Sequence, residues 1–579
     1  MTYRIRAIRA AGLAAALLAS LGLQGCASRP HQQPADRILL GGAILTMDEA
    51  QPTAEAVAIR DSRIVAVGSA RTVLRLRGPH TEVTRLADRA LLPGFFQAHA
   101  HFYGIAAKSD VVNLDPPPIG EVSSIAEIQK RVRAEIEKSA GVPPTFIAGA
   151  GYDDTLLAEK RHPTRDDLDA VSRDVPIFLS HISGHLAVAN SKALEMAGID
   201  ASTPDPQGGH IRRRPGSSEP DGVLEETAMA KVAVHFPQPS QDAFNRAFAR
   251  TAEHLASLGI TTAVEHAAPP PIVAAMRAFA DTGQLQLDLV AFPHISYGEA
   301  AFAGFSPTYR NGFRVGGIKL TLDGSIQGYT GYLTEPYFRQ APNRPADYCG
   351  YPTMPAQVVE TAITRLYRER IPFAAHTNGD AAIDLLIAAV RKAQALHPQP
   401  DLRPTVIHAQ TMREDQLDAA TELGLVPSFF VDHVYYWGDR HRDIFLGPKR
   451  ASRISPAASA LSRGLRFTLH DDAPVVPPHP LLTVWAAVNR ITASGQILGA
   501  EQRIGVLDAL KAVTREPAYQ HHEERDKGSI TVGKRADLVI LSADPRAVAL
   551  AALRDLTVIE TIKDGRSIFA LAGRPPAVR

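Results

Sequence analysis

Histidines, a lysine and aspartates lie at the ends of short apolar runs in this chain of 579 residues. His99 and His101 follow the run 91–96; two residues apart on an extended chain, their side chains point to one side and can share a metal ion. Lys319 lies within the apolar run 316–322, where an unpaired ammonium is costly. The other residues of this kind are His376 after 372–375, His408 after 405–407, and Asp471 and Asp472 after 466–469. Imidazoles and carboxylates are ligands that zinc prefers, so the pattern predicts a metal site.

Eight such runs, separated by helical stretches, could position these side chains. Strands that alternate with helices are typical of a parallel sheet, and eight of them indicate an α/β fold with a (β/α)8 TIM-type barrel. The predicted strands are residues 91–96, 262–265, 286–292, 316–322, 372–375, 405–407, 425–430 and 466–469. Barrel active sites lie at the carboxyl ends of the strands, so we expect the polar residues to meet at that rim.

The rest of the chain predicts an insertion and a second domain. The stretch between the first two barrel strands is far too long for one crossover. It predicts a subdomain at about residues 105–255, with strands at 145–149 and 176–180, that forms a pocket wall within a barrel region of residues 91–505. β-rich stretches lie near both termini, and they predict one small β-sandwich built from residues 37–90 and 506–579. Its predicted strands are residues 37–46, 54–68, 528–541 and 558–569.

Composition excludes several classes of protein. Apolar residues make up 45% of the chain and charged residues 21%, which indicates a globular protein with a large core rather than a disordered or collagenous one. The formal net charge is +1 and no block of like charge stands out, so nothing favours a nucleic-acid partner. The two cysteines, Cys26 and Cys349, exclude a disulfide framework and a multi-cysteine metal site.

The first residues predict export and lipidation. Three arginines precede the apolar run 10–23, which is too short for an ordinary membrane-spanning helix and is typical of a secretory signal peptide. The sequence LQGC at 23–26 resembles the lipobox of bacterial lipoproteins, in which Cys26 is acylated. We therefore expect a signal peptide of residues 1–25, a tether of residues 26–36, and a lipid-anchored protein of the bacterial cell envelope, at the outer membrane facing the periplasm. The alternative is a plain signal peptide with an incidental cysteine.

The residues at the strand ends look like those of the amidohydrolase superfamily of metal-dependent hydrolases. Within it, the chain resembles the branch that includes N-substituted formamide deformylases, from about residue 37 to residue 569. Further similar segments are GYDD at 151–154, SGH at 183–185, DGVL at 221–224, LGITT at 258–262 and GKRADL at 533–538. The resemblance implies one or two zinc ions.

The resemblance also implies a role for each predicted ligand. His99 and His101 would bind the more buried ion, Lys319 carboxylated on its amine would bridge two ions, and His376 and His408 would hold the second. Asp472 would complete the set. Two positions depart from the family pattern: Gln97 stands where an aspartate is common, and Asp471 where a small residue is usual. The Ala-Pro-Val sequence that follows favours Asp472 over Asp471 as the catalytic acid.

The implied reaction is hydrolysis of a C–N amide bond, of N-acyl or N-formyl type, in a small molecule. A zinc-activated hydroxide would attack, and Asp472 would act as general base and pass the proton to the leaving nitrogen. Substrate contacts are expected from Tyr152, His181, His185 and Trp437, for which structural roles stay equally open. A homo-oligomer is also left open.

Two other functions stay open. One is a deaminase or other non-amide hydrolase on the same scaffold, although the His-x-x-Glu acid of such deaminases is missing after His376. The other is a catalytically inactive, lipid-anchored binding protein, against which the intact ligand set argues.

Overall fold

The computed structural model describes residues 33–138 and 144–571. The predicted signal peptide, the lipidation site Cys26 and most of the tether lie outside the described residues. Within the described ranges, no helix combines the length and apolar character that crossing a membrane requires.

The strands fall into groups along the chain. The amino-terminal strands are β1 (Arg37–Leu45), β2 (Thr53–Arg60), β3 (Arg63–Gly68), β4 (Glu82–Arg85) and β5 (Ala90–Pro93). After β6 (Phe95–Phe96) come β7 (Val112–Asn113), β8 (Ile147–Tyr152), β9 (Ile177–His181), β10 (Leu186–Ala189), β11 (Gly209–Arg213) and β12 (Pro220–Glu226). Strands that alternate with helices follow: β13 (Ile260–Ala268), β14 (Asp288–Pro293), β15 (Phe313–Val315), β16 (Ile318–Thr321), β17 (Phe373–Thr377), β18 (Thr405–His408), β19 (Val426–Phe429) and β20 (Thr468–Leu469). The last are β21 (Leu538–Leu541), β22 (Val558–Lys563) and β23 (Arg566–Ala570).

The helices form where apolar residues recur three or four positions apart. In α10, for example, Val359, Ile363 and Leu366 form one buried face. From the amino terminus to the insertion, the helices are α1 (Ala70–Val73), α2 (Phe102–Lys108), α3 (Ile125–Glu137), α4 (Arg165–Asp169), α5 (Ser191–Met196) and α6 (Ala230–Ala233). Next are α7 (Gln241–Ser257), α8 (Pro270–Asp281), α9 (Glu299–Phe302), α10 (Ala356–Glu369), α11 (Asp380–Leu396) and α12 (Glu414–Leu423). The remainder are α13 (His433–Arg440), α14 (Gly447–Ala451), α15 (Ala457–Ser462), α16 (Pro480–Asn489), α17 (Val506–Ala512) and α18 (Arg515–Gln520).

Two parallel sheets carry the predicted ligands. One has the strand order β15-β14-β13-β6 and the other the order β16-β17-β18-β19-β20. The register pairs Thr321 with His376 and Thr377 with His408, which sets the carboxyl ends of β16, β17 and β18 at one level. Each of the eight predicted barrel strands overlaps a strand of these sheets, and the mixed α/β class is confirmed.

The first predicted barrel strand, residues 91–96, is corrected by the structure. Its first part is β5, which pairs with β1 and β21, and only β6 pairs with β13. The chain changes partners at Gly94, where a Cβ would lie 2.3 Å from the Thr261 side chain. The apolar run is continuous because both strands are buried, although they belong to different sheets.

The two ends of the chain share one sheet. Its order is β23-β22-β21-β5-β1-β2-β3, with β4 paired to β1, so the predicted sandwich is, in the described residues, a single eight-stranded sheet. Arg37 at the start of β1 donates two hydrogen bonds of 2.9 Å to Glu560 in β22. The carboxy-terminal part also begins later than residue 506, because α17 and α18 contact β20 of the parallel sheet. Of the predicted strand 528–541, only β21 is extended.

The insertion forms its own six-stranded sheet. The order is β11-β12-β10-β9-β8-β7, and apolar clusters cover both of its faces. The predicted strands 145–149 and 176–180 correspond to β8 and β9. Helix α7 lies within the predicted insertion at 105–255 but contacts β13, α8 and β22 instead. The sheet of the insertion therefore spans residues 112–226.

A buried cluster of charges joins the terminal sheet to β14. Lys527 Nζ lies 2.5 Å from Asp288 Oδ2 and 2.6 Å from Glu523 Oε2, and Lys563 Nζ lies 3.0 Å from the same Asp288 oxygen. Burial opposes ionisation of Asp288, but the two lysines outweigh it and hold the pKa of this carboxyl well below its usual range. The cluster stabilises the contact between the two units only while Asp288 is charged.

We expect Asp288→Asn to lower the free energy of unfolding by about 3–5 kcal/mol, because two buried ammonium groups lose their shared partner. Since the folded pKa lies below the unfolded value of about 3.9, the stabilisation is full above that value and is lost as the pH falls through the folded pKa. Urea unfolding followed by circular dichroism measures the change. The control is Asp110→Asn, in an exposed pair with Arg250, which should shift stability by less than about 1 kcal/mol. Equal effects of the two variants would contradict the prediction.

Candidate metal centre

The predicted ligands His99, His101, His408 and Asp472 meet at the carboxyl ends of the parallel strands. His99 Nε2 lies 3.0 Å and His101 Nε2 3.4 Å from Asp472 Oδ1. His408 Nε2 lies 4.0 Å from Asp472 Oδ2. Asp472 Oδ1 is buried and makes no hydrogen bond within the described part of the chain. Imidazole nitrogens that converge on an unpaired carboxylate oxygen suit a divalent metal ion.

His376 and Lys319 lie beside this group. The rings of His376 and His408 are 4.5 Å apart between centroids, at the ends of neighbouring strands. Lys319 Nζ is buried, and no hydrogen-bond partner for it exists among the described residues. Burial lowers the pKa of Lys319 to about 7, although Asp472 favours the charged form. An appreciable share of this amine is therefore neutral near pH 7.

His376 is oriented by a carboxylate behind it. Its Nδ1 lies 3.1 Å from Asp323 Oδ1. Asp323 in turn accepts backbone N–H bonds from Asn378 at 3.0 Å and Gly379 at 2.8 Å. A carboxylate at Nδ1 fixes the ring so that Nε2 faces the cavity, where Asn378 Nδ2 lies 3.4 Å away.

His408 and His99 are held by further histidines. His470 Nε2 lies 3.2 Å from His408 Nδ1, and its own Nδ1 lies 2.9 Å from Ser428 Oγ. His266 Nδ1 lies 2.9 Å from His99 Nδ1. Sequence reasoning missed these supporting residues, although each directly follows a predicted strand: Asp323 after 316–322, His266 after 262–265 and His470 after 466–469.

Asp472 and Asp471 face different surroundings. Asp471 accepts backbone N–H bonds from Ala473 at 3.2 Å and His479 at 2.9 Å, and burial raises its pKa to about 6. Asp472 has φ +55° and lines the cavity. A left-handed conformation at a non-glycine residue costs about 1–3 kcal/mol and commonly marks a functional position. The geometry therefore separates the two aspartates: one supports the backbone and the other faces the cavity.

A cavity of about 740 Å³ lies between the parallel sheets and the insertion. Its floor contains the polar group of His99, His101, Lys319, His376, His408 and Asp472. The insertion supplies an apolar part of the wall, with Met229, Ala233 and Phe236, and the polar side chains of His181 and His185. The space suits a small molecule with an apolar portion beside the polar floor.

Of the predicted substrate-contacting residues, His181 and His185 line the cavity. His181 is bonded within the insertion, with Nδ1 2.9 Å from Ser183 Oγ. Tyr152 and Trp437 do not reach the cavity wall. Tyr152 is fully buried with its hydroxyl 3.2 Å from His162, and Trp437 donates from Nε1 to Asp153 at 3.2 Å. Both rings pack in the core, away from the residues that line the cavity, and substrate contact by these two stays a prediction.

Gln97 is also outside the cavity lining. Its side-chain amide is buried, and among the described residues neither its oxygen nor its nitrogen has a hydrogen-bond partner. A neutral amide at this position adds no charge to the surroundings of His99.

Comparison with known proteins places this chain in a family. The profile of the amidohydrolase family matches residues 82–569. The N-substituted formamide deformylase of Arthrobacter pascens is 26% identical over 551 residues, which cover 92% of this chain and 98% of that protein. Protein LONG AFTER FAR-RED 3 of Arabidopsis thaliana is 27% identical over 525 residues, with 88% of each chain covered.

Solved structures show the same fold. An uncharacterized metal-dependent hydrolase from Pyrococcus horikoshii OT3 superposes with a TM-score of 0.70 at 23% identity, covering 89% of this chain and 99% of that one. A second, from Pyrococcus furiosus, has a TM-score of 0.67 at 24% identity, with 88% and 99% covered. The family profile covers most of the sequence, and the predicted ligands converge at the strand ends. The chain is therefore a metal-dependent hydrolase that acts on carbon–nitrogen bonds, and it belongs to the amidohydrolase family.

Proposed function

We propose that the protein hydrolyses an N-acyl or N-formyl amide bond of a small molecule, with zinc bound at the centre. The observation that carries the proposal is the convergence of His99 Nε2 and His101 Nε2 on the unpaired Asp472 Oδ1 at the floor of the cavity. The similarity to the Arthrobacter pascens deformylase supports the choice of bond. We take the two parallel sheets as halves of a closed (β/α)8 barrel, with β15 and β16 together forming one of its eight strands, since the rings of His99 and His470 are 5.0 Å apart.

The residues of the centre fit one or two divalent ions. His99, His101 and Asp472 would hold one, and His376 with His408 would hold a second. Lys319, converted to a carbamate, would supply two oxygens between them, which explains why its amine is buried without a partner. When bound, zinc would polarise the scissile carbonyl and lower the pKa of a water molecule to about 7.

Asp472 lies where a general base is needed, and one of its carboxylate oxygens is available to accept a proton. Its carboxylate faces the cavity, and Oδ1 carries no hydrogen bond from the described residues. It can therefore accept the proton of the attacking water and return it to the leaving nitrogen. The apolar wall of Met229, Ala233 and Phe236 would cover an apolar substituent and exclude bulk water from the reacting bond.

A hydrolysis screen with the zinc-loaded protein tests the proposal. N-formyl and N-acyl amines of increasing apolar size are incubated with the enzyme, and the released amine and acid are both measured. Release of the two in equal amounts is expected, and its loss on chelation confirms metal dependence. Ammonia release from aminated heterocycles, with no amide cleavage, would favour the deaminase. Binding without turnover in a metal-loaded protein would favour the inactive binding protein.

We also propose a lipid anchor at Cys26, on the LQGC sequence at 23–26. Stable anchoring depends on buried acyl chains. Cys26→Ala, expressed in a bacterial host, should therefore leave the protein as uncleaved precursor or in soluble form, as fractionation and mass spectrometry would show. The matched control is Cys349→Ala, which keeps the predicted acylation site. Unchanged mature Cys26→Ala protein in the outer-membrane fraction would overturn the anchor.

A further inference from the structure

We infer that His185, carried by the insertion, is an additional ligand of the metal ion bound by His376, and that Glu226 is the positioning residue for His185. The inference rests on the proposed metal site and adds a ligand from outside the parallel sheets. His185 Nε2 lies 3.0 Å from His376 Nε2, in the floor of the cavity. The other predicted ligands lie within strands of the parallel sheets or in the loops that directly follow them.

The hydrogen bonds behind the two rings place a carboxylate at each Nδ1 and turn each Nε2 toward the cavity. His185 Nδ1 lies 2.8 Å from Glu226 Oε2, and His376 Nδ1 lies 3.1 Å from Asp323 Oδ1. An ionised carboxylate only accepts, so each Nδ1 carries the hydrogen. A neutral imidazole with hydrogen on Nδ1 presents a lone pair at Nε2, which is the form that binds a metal.

Two lone pairs face each other at this contact. With hydrogen on both Nδ1 atoms, His185 and His376 would repel across 3.0 Å unless a cation lies between them. A shared ion removes the repulsion: two nitrogens bound to one zinc at about 2.0–2.1 Å lie roughly 2.9–3.4 Å apart. The separation therefore matches two ligands of one ion. A proton on His185 Nε2 would also allow the contact, and the experiment below separates the two.

The backbone conformation at Glu226 fixes the position of the Glu226 carboxylate. Glu226 has φ +50° and ψ −122°, a conformation that is strained for a residue with a side chain. Its backbone N–H donates to the carbonyl of His185 at 2.9 Å.

Gly324 leaves space for the second oxygen of the Glu226 carboxylate, Oε1. A Cβ at Gly324 would lie 2.0 Å from Glu226 Oε1, so no larger residue fits there. Asp323 orients His376. The next residue, Gly324, leaves room for the Glu226 carboxylate, which orients His185. The insertion and the loop after β16 are thus fitted together at the two histidines.

The test measures metal binding rather than turnover. Apo-protein is titrated with zinc against a competing chelator, and bound zinc per chain is measured by elemental analysis. Cobalt-loaded protein is compared by visible absorption, which reports the number and type of ligands. The variants are His185→Ala and Glu226→Gln. The matched control is His210→Ala, which removes a partly exposed histidine of the insertion that pairs with Asp205 and lies outside the cavity lining.

We expect Glu226→Gln to weaken one zinc site about 10–100-fold, as is usual when the group that orients a ligand is lost. His185→Ala should weaken the same site further and change the cobalt spectrum, whereas His210→Ala keeps wild-type affinity and spectrum. Equal thermal midpoints of the apo-proteins would show that folding is unchanged; if His185→Ala is less stable, Glu226→Gln carries the test.

The outcomes separate this inference from the proposed function. Wild-type protein that takes up no zinc would overturn both. Wild-type protein that binds zinc, with His185→Ala and Glu226→Gln at wild-type affinity and spectrum, would overturn only the ligand role. That second result would mean that a protonated His185 donates to His376, and the proposed hydrolase would stand.

Discussion

Replacing Asp472 with asparagine is expected to lower kcat/KM by about 10²–10⁴-fold or more. The substitution keeps the shape of the side chain but removes the general base, which alone accounts for losses of about that size. It also removes the charged oxygen on which His99 Nε2 and His101 Nε2 converge, so zinc affinity should fall as well. Steady-state kinetics at saturating zinc separate the loss of the base from the loss of the metal.

Asp471→Asn is the matched control, because it makes the same change one residue earlier. Asp471 accepts backbone N–H bonds from Ala473 and His479 and does not line the cavity. An asparagine retains one acceptor oxygen, so we expect a small loss of stability and a much smaller kinetic effect. If Asp471→Asn were the more damaging of the two at saturating zinc, the role of base would belong to Asp471.

Zinc uptake by apo-protein is expected to be faster and more complete with added bicarbonate. Bicarbonate is in equilibrium with carbon dioxide, whose carbon bonds to the neutral Lys319 amine; the nitrogen then loses a proton to solvent and the group becomes a carbamate. The starting amine is available because burial brings the pKa of Lys319 to about 7. Carbon-13 NMR with labelled bicarbonate would report the carbamate directly. A wild-type spectrum without that signal, in fully zinc-loaded protein, would overturn the carbamate.

Lys319→Ala should lose most of the activity and much of the bound zinc. Acetate should restore part of both, because its two oxygens can occupy the place of the carbamate. Wild-type protein with the same acetate is the control and should gain nothing. An unmodified, structural lysine predicts instead that Lys319→Ala keeps its zinc and that neither bicarbonate nor acetate changes the zinc content.

The strand ends could be predicted because strands buried on both faces read as continuous apolar runs. In β17 and β18 such a run ends directly at His376 and His408, so the change from apolar to ligating residue is visible in the sequence. A continuous apolar run also hid the residue at which the chain enters the parallel sheets. The run 91–96 stays apolar through Gly94, while the chain passes from β5 to β6 and thus from one sheet to another.

Contacts between distant segments could not be predicted. His185 meets His376, and His470 meets His408, only after the insertion and the parallel strands have packed together. Tyr152 and Trp437 are residue types that often line pockets, yet their polar atoms make hydrogen bonds inside the core. The side-chain type alone does not distinguish an aromatic residue that lines a pocket from one that fills a core.

The sheet shared by both termini also sets an order of assembly during synthesis. Strand β5 lies between β1 and β21, and the pair Arg37–Glu560 joins residues 523 positions apart. Strand β5, which precedes β6 and His99, therefore lacks one of its two neighbours until almost the whole chain has been made. A ribosome-bound chain that stops before β21 would contain every predicted ligand from His99 to Asp472, but β5 would keep an open apolar edge prone to association. Metal loading should consequently follow completion of the chain.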